Sequence, residues 1–160
     1  MTENKAKNDW IYEDLPFFLP KKNFFMVQPE DYRGINCRLG SKGIIAETHY
    51  DFSRNFILIL RGQKRYVLAH PNQCQNLELH PPGHPSARHS SVNWSDPSAW
   101  GQGNFPQAMV NEVIMQAGDI LYLPTAWFHF IVSLNMNYQC NARSGITLDY
   151  EEDIQDCGFK

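Results

Sequence analysis

The tripeptide His49-Tyr50-Asp51 sets an imidazole and a carboxylate two residues apart, and His129 offers a second imidazole far downstream. Residues two apart on a β-strand project from one face, so His49 and Asp51 can point together into a barrel. His129 follows the stiff run Leu123-Pro124-Thr125-Ala126-Trp127-Phe128 and can close a third corner from a neighbouring strand. Two imidazoles and one carboxylate on one face of an octahedron are the donor set of non-haem Fe(II) oxygenases, with the remaining positions open to cosubstrate and O₂. A His-x-Asp tripeptide alone is a weak signal, and on that signal alone His49 reads as an ordinary strand residue. The other histidines carry less. His80 and His84 flank Pro81-Pro82-Gly83, which reads as an exposed turn with no third ligand nearby, and His70 and His89 read as loop residues.

The elements that must position these groups are short. Strands are expected at 35–39 and 44–50 around the turn Gly40-Ser41-Lys42-Gly43. The apolar run 55–60 is too short for a typical helix, turns at Arg61-Gly62-Gln63 and returns as a strand over 64–69. Asn55 lies six residues after His49 and shares its parity. Residues 70–108 are rich in Pro, Gly, Ser and Asn and read as a long insertion, for which Trp94, Trp100 and Phe105 are candidate anchors. Further strands are expected at 110–115, 120–123, 129–134 and 138–142, with a turn at 116–119. Residues 1–9 are expected to fray and to be disordered, a strand is expected near 24–27, and one domain spans 10–150. The acidic stretch 149–156 reads as a solvated turn or short helix within a tail over 151–160. Many short strands with turn punctuation and little amphipathic helix argue an all-β sandwich or barrel.

Composition narrows the class. The chain has 160 residues, 42% of them hydrophobic, which suits one globular core. The formal net charge of −3, with no basic stripe, argues against nucleic-acid binding driven by phosphate contacts. Cys37, Cys74, Cys140 and Cys157 form no CxxC pair and follow no secretory signal, so neither a zinc finger nor a disulfide framework is expected. No apolar run approaches a membrane span, and the expected location is the cytosol or the nucleus.

The stretch His49-Tyr-Asp-Phe-Ser-Arg-Asn55-Phe, followed by Arg61-Gly-Gln-Lys64-Arg-Tyr-Val-Leu, resembles the Jumonji-C hydroxylases of the cupin superfamily. Within them it looks most like the asparaginyl hydroxylase type that inhibits hypoxia-inducible factor. Gly118-Asp-Ile-Leu-Tyr-Leu-Pro124-Thr-Ala-Trp127-Phe-His129 matches the second cupin motif, and the likeness spans roughly residues 35–145. It implies a double-stranded β-helix, or jelly roll, holding Fe(II) through His49, Asp51 and His129 as the catalytic centre. It also implies 2-oxoglutarate as cosubstrate with O₂, and Lys64 on the distal carboxylate, since a buried carboxylate needs a charge partner. Asn55 is implied to hydrogen-bond at the cosubstrate, and Asn141 to lie near the metal on the last core strand. Trp127 and Phe128 would pack beside His129 and fix its orientation.

Two positions depart from the family pattern. Arg143 stands where the hydroxylase carries an aromatic residue; pocket lining, an acidic partner and a surface role all remain open for it. Ala46 stands where a threonine would bond the cosubstrate carboxylate. Thr48 has the wrong parity to replace it, and Tyr66 either supplies the missing hydroxyl or packs in the core. No upstream tyrosine equivalent is found. The resemblance implies hydroxylation of a protein or peptide substrate, or demethylation through hydroxylation, with no membrane role. A fragment and a minimal domain that forms a homodimer both stay open. The competing expectations are a cupin-like metal- or ligand-binding module without turnover, motivated by Ala46 and the missing tyrosine, and a β-barrel whose triad is fortuitous.

Overall fold

The structure, a computed structural model, describes residues 34–145, 151–155 and 157. The strand expected near 24–27 and the fraying expected for 1–9 lie outside them. In chain order the strands are β1 (Ile35–Gly40), β2 (Ile45–His49), β3 (Arg54–Arg61), β4 (Gln63–Ala69), β5 (Asn111–Gln116), β6 (Ile120–Leu123), β7 (Phe128–Ser133) and β8 (Asn137–Ser144). They form two four-stranded sheets, ordered β1-β8-β3-β6 and β2-β7-β4-β5. Every pairing is antiparallel. The fold is the all-β sandwich that the short strands and turns predict, with the jelly-roll form that the resemblance implies.

Local sequence explains the turns. Gly62 joins β3 to β4 with a φ of 76°, a left-handed conformation open to glycine. A side chain there would also collide with the Met136 carbonyl. The sheets face one another through Ile57, Ile59 and Leu123 from one side and Tyr66 and Met115 from the other. Because β4 and β7 are buried on both faces, their alternate residues Val67, Ala69, Phe128 and Phe130 supply a second apolar layer on the outside.

The 70–108 insertion covers that outer layer. It contains three short 3₁₀ turns, Pro71–Asn76, Pro97–Gly101 and Phe105–Gln107, each with a proline in its first turn. Trp94 is buried, with Phe105 edge-on at 5.2 Å and Phe130 beyond it at 6.0 Å. Trp100 stays 43% exposed, so two of the three expected anchors hold the segment. The insertion also reaches the free rim of β2, where Ser90 donates its N–H to the Thr48 carbonyl at 3.0 Å.

Two expectations are corrected. The acidic stretch forms a short helix, α1 (Glu151–Gln155), as one of the expected forms, but it is not wholly solvated, since Ile154 is buried in the outer layer. The cysteines are paired as disulfides, Cys37 with Cys140 and Cys74 with Cys157. Cys37 and Cys140 lie directly opposite on β1 and β8. The partners are 103 and 83 residues apart, a long-range juxtaposition that local spacing cannot reveal. Among the described residues, no helix is long and apolar enough to cross a membrane.

Candidate metal centre

His49 ends β2 and pairs across the sheet with His129 of β7, their rings 4.3 Å apart. Asp51 lies just past the end of β2. Its backbone carbonyl accepts from the Ala126 N–H at 2.8 Å, which ties it to the turn before β7. One ligand atom from each of His49, Asp51 and His129 lies within 4.8 Å of the others.

The backbone orients both imidazoles. His49 Nδ1 lies 2.7 Å from the Glu47 carbonyl, and His129 Nδ1 lies 3.0 Å from the Trp127 carbonyl. A carbonyl only accepts, so each Nδ1 carries a proton and Nε2 is the ring nitrogen left for a metal. The expected orienting role of Trp127 is thus carried by its backbone, while Phe128 packs in the outer layer. Burial, and then the neighbouring His49, push the His129 pKa down to about 4, so this ring is neutral at physiological pH. Two imidazole nitrogens and a carboxylate fit a divalent transition metal.

Asp51 has further partners. Arg143 Nη2 donates to its Oδ2 at 2.7 Å, and Arg88 Nη1 stands 3.7 Å from its Oδ1. Of the roles left open for Arg143, the acidic partner is the one observed. Arg88 was not singled out in the sequence, and His89, read there as a loop residue, stacks its ring on His49 at 5.1 Å. The expectation that His89 is a plain loop residue is therefore corrected. The isolated bridge between His49 and His89 brings the two together, and no local pattern announces it.

Deeper in the barrel, three expected residues meet in one chain of hydrogen bonds. Tyr66 OH donates to Gln139 Oε1 at 3.0 Å, Gln139 Nε2 to Asn141 Oδ1 at 2.7 Å, and Asn141 Nδ2 to Asn55 Oδ1 at 3.0 Å. Gln139 was missed, although its position two residues before Asn141 on β8 is a readable signal. Asn55 faces the interior for a different reason than expected. A turn separates it from His49, and it sits on β3 in the opposite sheet, across from Arg143. Tyr66 is buried, and its hydroxyl is committed to Gln139.

Lys64 is 9% exposed and has no ion pair or hydrogen bond among the described residues. Burial, and then the charge of Arg38, lower its pKa. The register places Lys64 opposite Ser133 and Leu68 opposite His129, so Lys64 shares the face of the triad. A register shift in β2 between Ala46 and His49 sets Ala46 opposite Ile131 and His49 opposite His129. Parity counted along β2 therefore misleads, and both residues occupy the face of His129. Thr48 is buried, with its hydroxyl unpartnered among the described residues. His80 and His84 stack at 4.3 Å, but His84 Nδ1 accepts from the Ser86 N–H at 3.0 Å.

Comparison with known proteins agrees with this geometry. The cupin-like domain family matches residues 4–147. The chain is 34% identical over 118 residues to mouse tRNA wybutosine-synthesizing protein 5, covering 74% of this chain and 33% of that protein. It is 33% identical over 109 residues to JmjC domain-containing protein D of Dictyostelium discoideum, covering 68% and 24%. It is 32% identical over 96 residues to human tRNA wybutosine-synthesizing protein 5, covering 60% and 29%. The chain thus spans a third or less of the length of these relatives. With family match, paired sheets and converging triad in agreement, the chain belongs to the cupin-like, JmjC-type domain family.

Proposed function

We propose that the domain is an Fe(II)- and 2-oxoglutarate-dependent dioxygenase that hydroxylates a protein side chain, or demethylates one through hydroxylation. The observation that carries this is the convergence of His49, Asp51 and His129 on the same inner face as a buried lysine that has no anion among the described residues. His49 and His129 would hold the iron through Nε2, and Asp51 through one carboxylate oxygen. When bound, iron supplies the oxidative chemistry that couples 2-oxoglutarate decarboxylation to C–H hydroxylation.

The chain's own residues bind and orient. Lys64 takes the distal carboxylate of the cosubstrate, which neutralises a charge that has no counter-ion among the described residues. Arg38 lies opposite Gln139 on β1 and adds positive potential to the same wall. The Tyr66–Gln139–Asn141–Asn55 chain holds a polar wall in one arrangement, so that little reorganises when ligand enters. With Ala46 in place of a hydroxyl residue and the Tyr66 hydroxyl committed to Gln139, Lys64 carries more of the cosubstrate's binding.

Anaerobic metal analysis, followed by succinate measurement with Fe(II), ascorbate and a peptide library, tests the assignment. Near-unit metal content with peptide-stimulated succinate supports it, and His49→Ala abolishes both. Metal without succinate favours a binding module, and no metal favours a fortuitous triad. A second substrate class, a tRNA base, is favoured by the names of the mouse and human relatives. The net charge of −3 speaks against it, and a tRNA arm of the same assay decides.

A further inference from the structure

We propose that Arg143 is a positioning residue that shares Asp51 with the metal and keeps metal binding weak and exchangeable; this rests on the assignment of the triad as a metal site. Arg143 enters from β8 across from Asn55 and donates to Asp51 Oδ2 at 2.7 Å, a charge-assisted bond. Arg88, from the insertion, approaches the other oxygen at 3.7 Å. It is anchored independently: Nη1 donates to the Tyr50 carbonyl at 2.8 Å, and the guanidinium lies 5.9 Å from the Tyr50 ring centroid and 5.7 Å from that of Phe52. Each oxygen of a mostly buried carboxylate therefore faces a cation before any metal arrives.

The two contacts differ in kind. The Arg143 bond is short and commits Oδ2. The Arg88 contact is too long for a hydrogen bond, so Oδ1 is the oxygen left for a metal. Arg143 thereby aims the carboxylate and restricts it to one-point coordination. It also repels a divalent ion across the width of one carboxyl group. Asp51 is only 15% exposed, so that repulsion is weakly screened and outweighs the loss of one aiming bond. Removing the charge should therefore tighten metal binding, a gain that structural damage does not produce.

The test titrates Mn(II) and Co(II) into the metal-free protein without cosubstrate and follows their release to a chelator. Arg143→Gln keeps an N–H donor and removes the charge. It is expected to bind both ions at least about tenfold more tightly than the native protein and to release them more slowly. Arg143→Lys keeps the charge and is expected to stay within about threefold of native, a second arm that stands if the glutamine variant fails to fold. Unchanged or weaker binding in Arg143→Gln, or tight binding in Arg143→Lys, overturns the proposal. If the native protein takes up neither ion, the metal assignment itself fails, and the control alone reveals it.

Discussion

Two charged side chains lie inside this barrel in opposite circumstances. Asp51 is overcompensated, with one guanidinium bonded to it and another close by. Lys64 is uncompensated, buried on the same face with no anion among the described residues. A charge that only served stability would be paired by the protein, as Asp51 is, because a lone buried cation costs several kcal/mol or loses its proton. The contrast teaches which end of the cavity the described residues complete and, under the proposed function, which end a ligand would complete.

The comparison can be broken most forcefully at the triad. His49→Ala or His129→Ala should reduce divalent metal affinity and succinate formation by more than about a hundredfold, measured by metal titration and turnover. Lys64→Met sharpens the contrast from the other end. Cosubstrate affinity should fall about a hundredfold by calorimetry, since a charged hydrogen-bond partner is lost. The ligand-free protein should nevertheless melt at a higher temperature than native, and a lower melting temperature would mean that Lys64 has a structural partner.

The pH dependence of the metal-free protein comes next. The folded His129 pKa of about 4 lies below the ordinary 6.5, so the unfolded chain binds the extra proton. Stability should be full above pH 6.5, fall as pH drops toward 4, and lose up to about 3 kcal/mol across that window, read by denaturant midpoints. His129→Gln should flatten the slope. Asp51→Asn leaves Arg143 without its anion and should destabilise the metal-free protein by about 2 kcal/mol. Tyr66→Phe removes one buried donor from the polar wall and should cost about 1 kcal/mol in chemical denaturation.

Much of this architecture was legible in the chain. Strand positions followed from short β-branched runs, and the triad from the family resemblance carried by the His49-Tyr-Asp stretch and the Leu-Pro-Thr-Ala-Trp-Phe-His run, since the two-residue spacing alone is weak. What escaped was long-range or irregular. Asn55 was assigned inward by parity counted across a turn, yet it faces inward from the opposite sheet. The register shift in β2 defeats parity between Ala46 and His49, because one extra residue moves every later side chain to the other face. Arg88 and His89 reach the site from an insertion whose composition says only that it is a loop. The cysteine pairs were invisible for the same reason: register and helix docking bring the sulfurs together.

The bond from Ser90 to Thr48 and the bridge between His89 and His49 have a consequence for handling the protein. β2 is terminal in its sheet, and an uncovered terminal strand is a template for sticking to other molecules. Residues 88–90 act as a sleeve over that template, and the same sleeve steadies His49 of the triad. A protease cut in the Pro-Pro-Gly segment upstream would loosen both at once, so clipped preparations should lose metal and clump together, and intact ones should do neither.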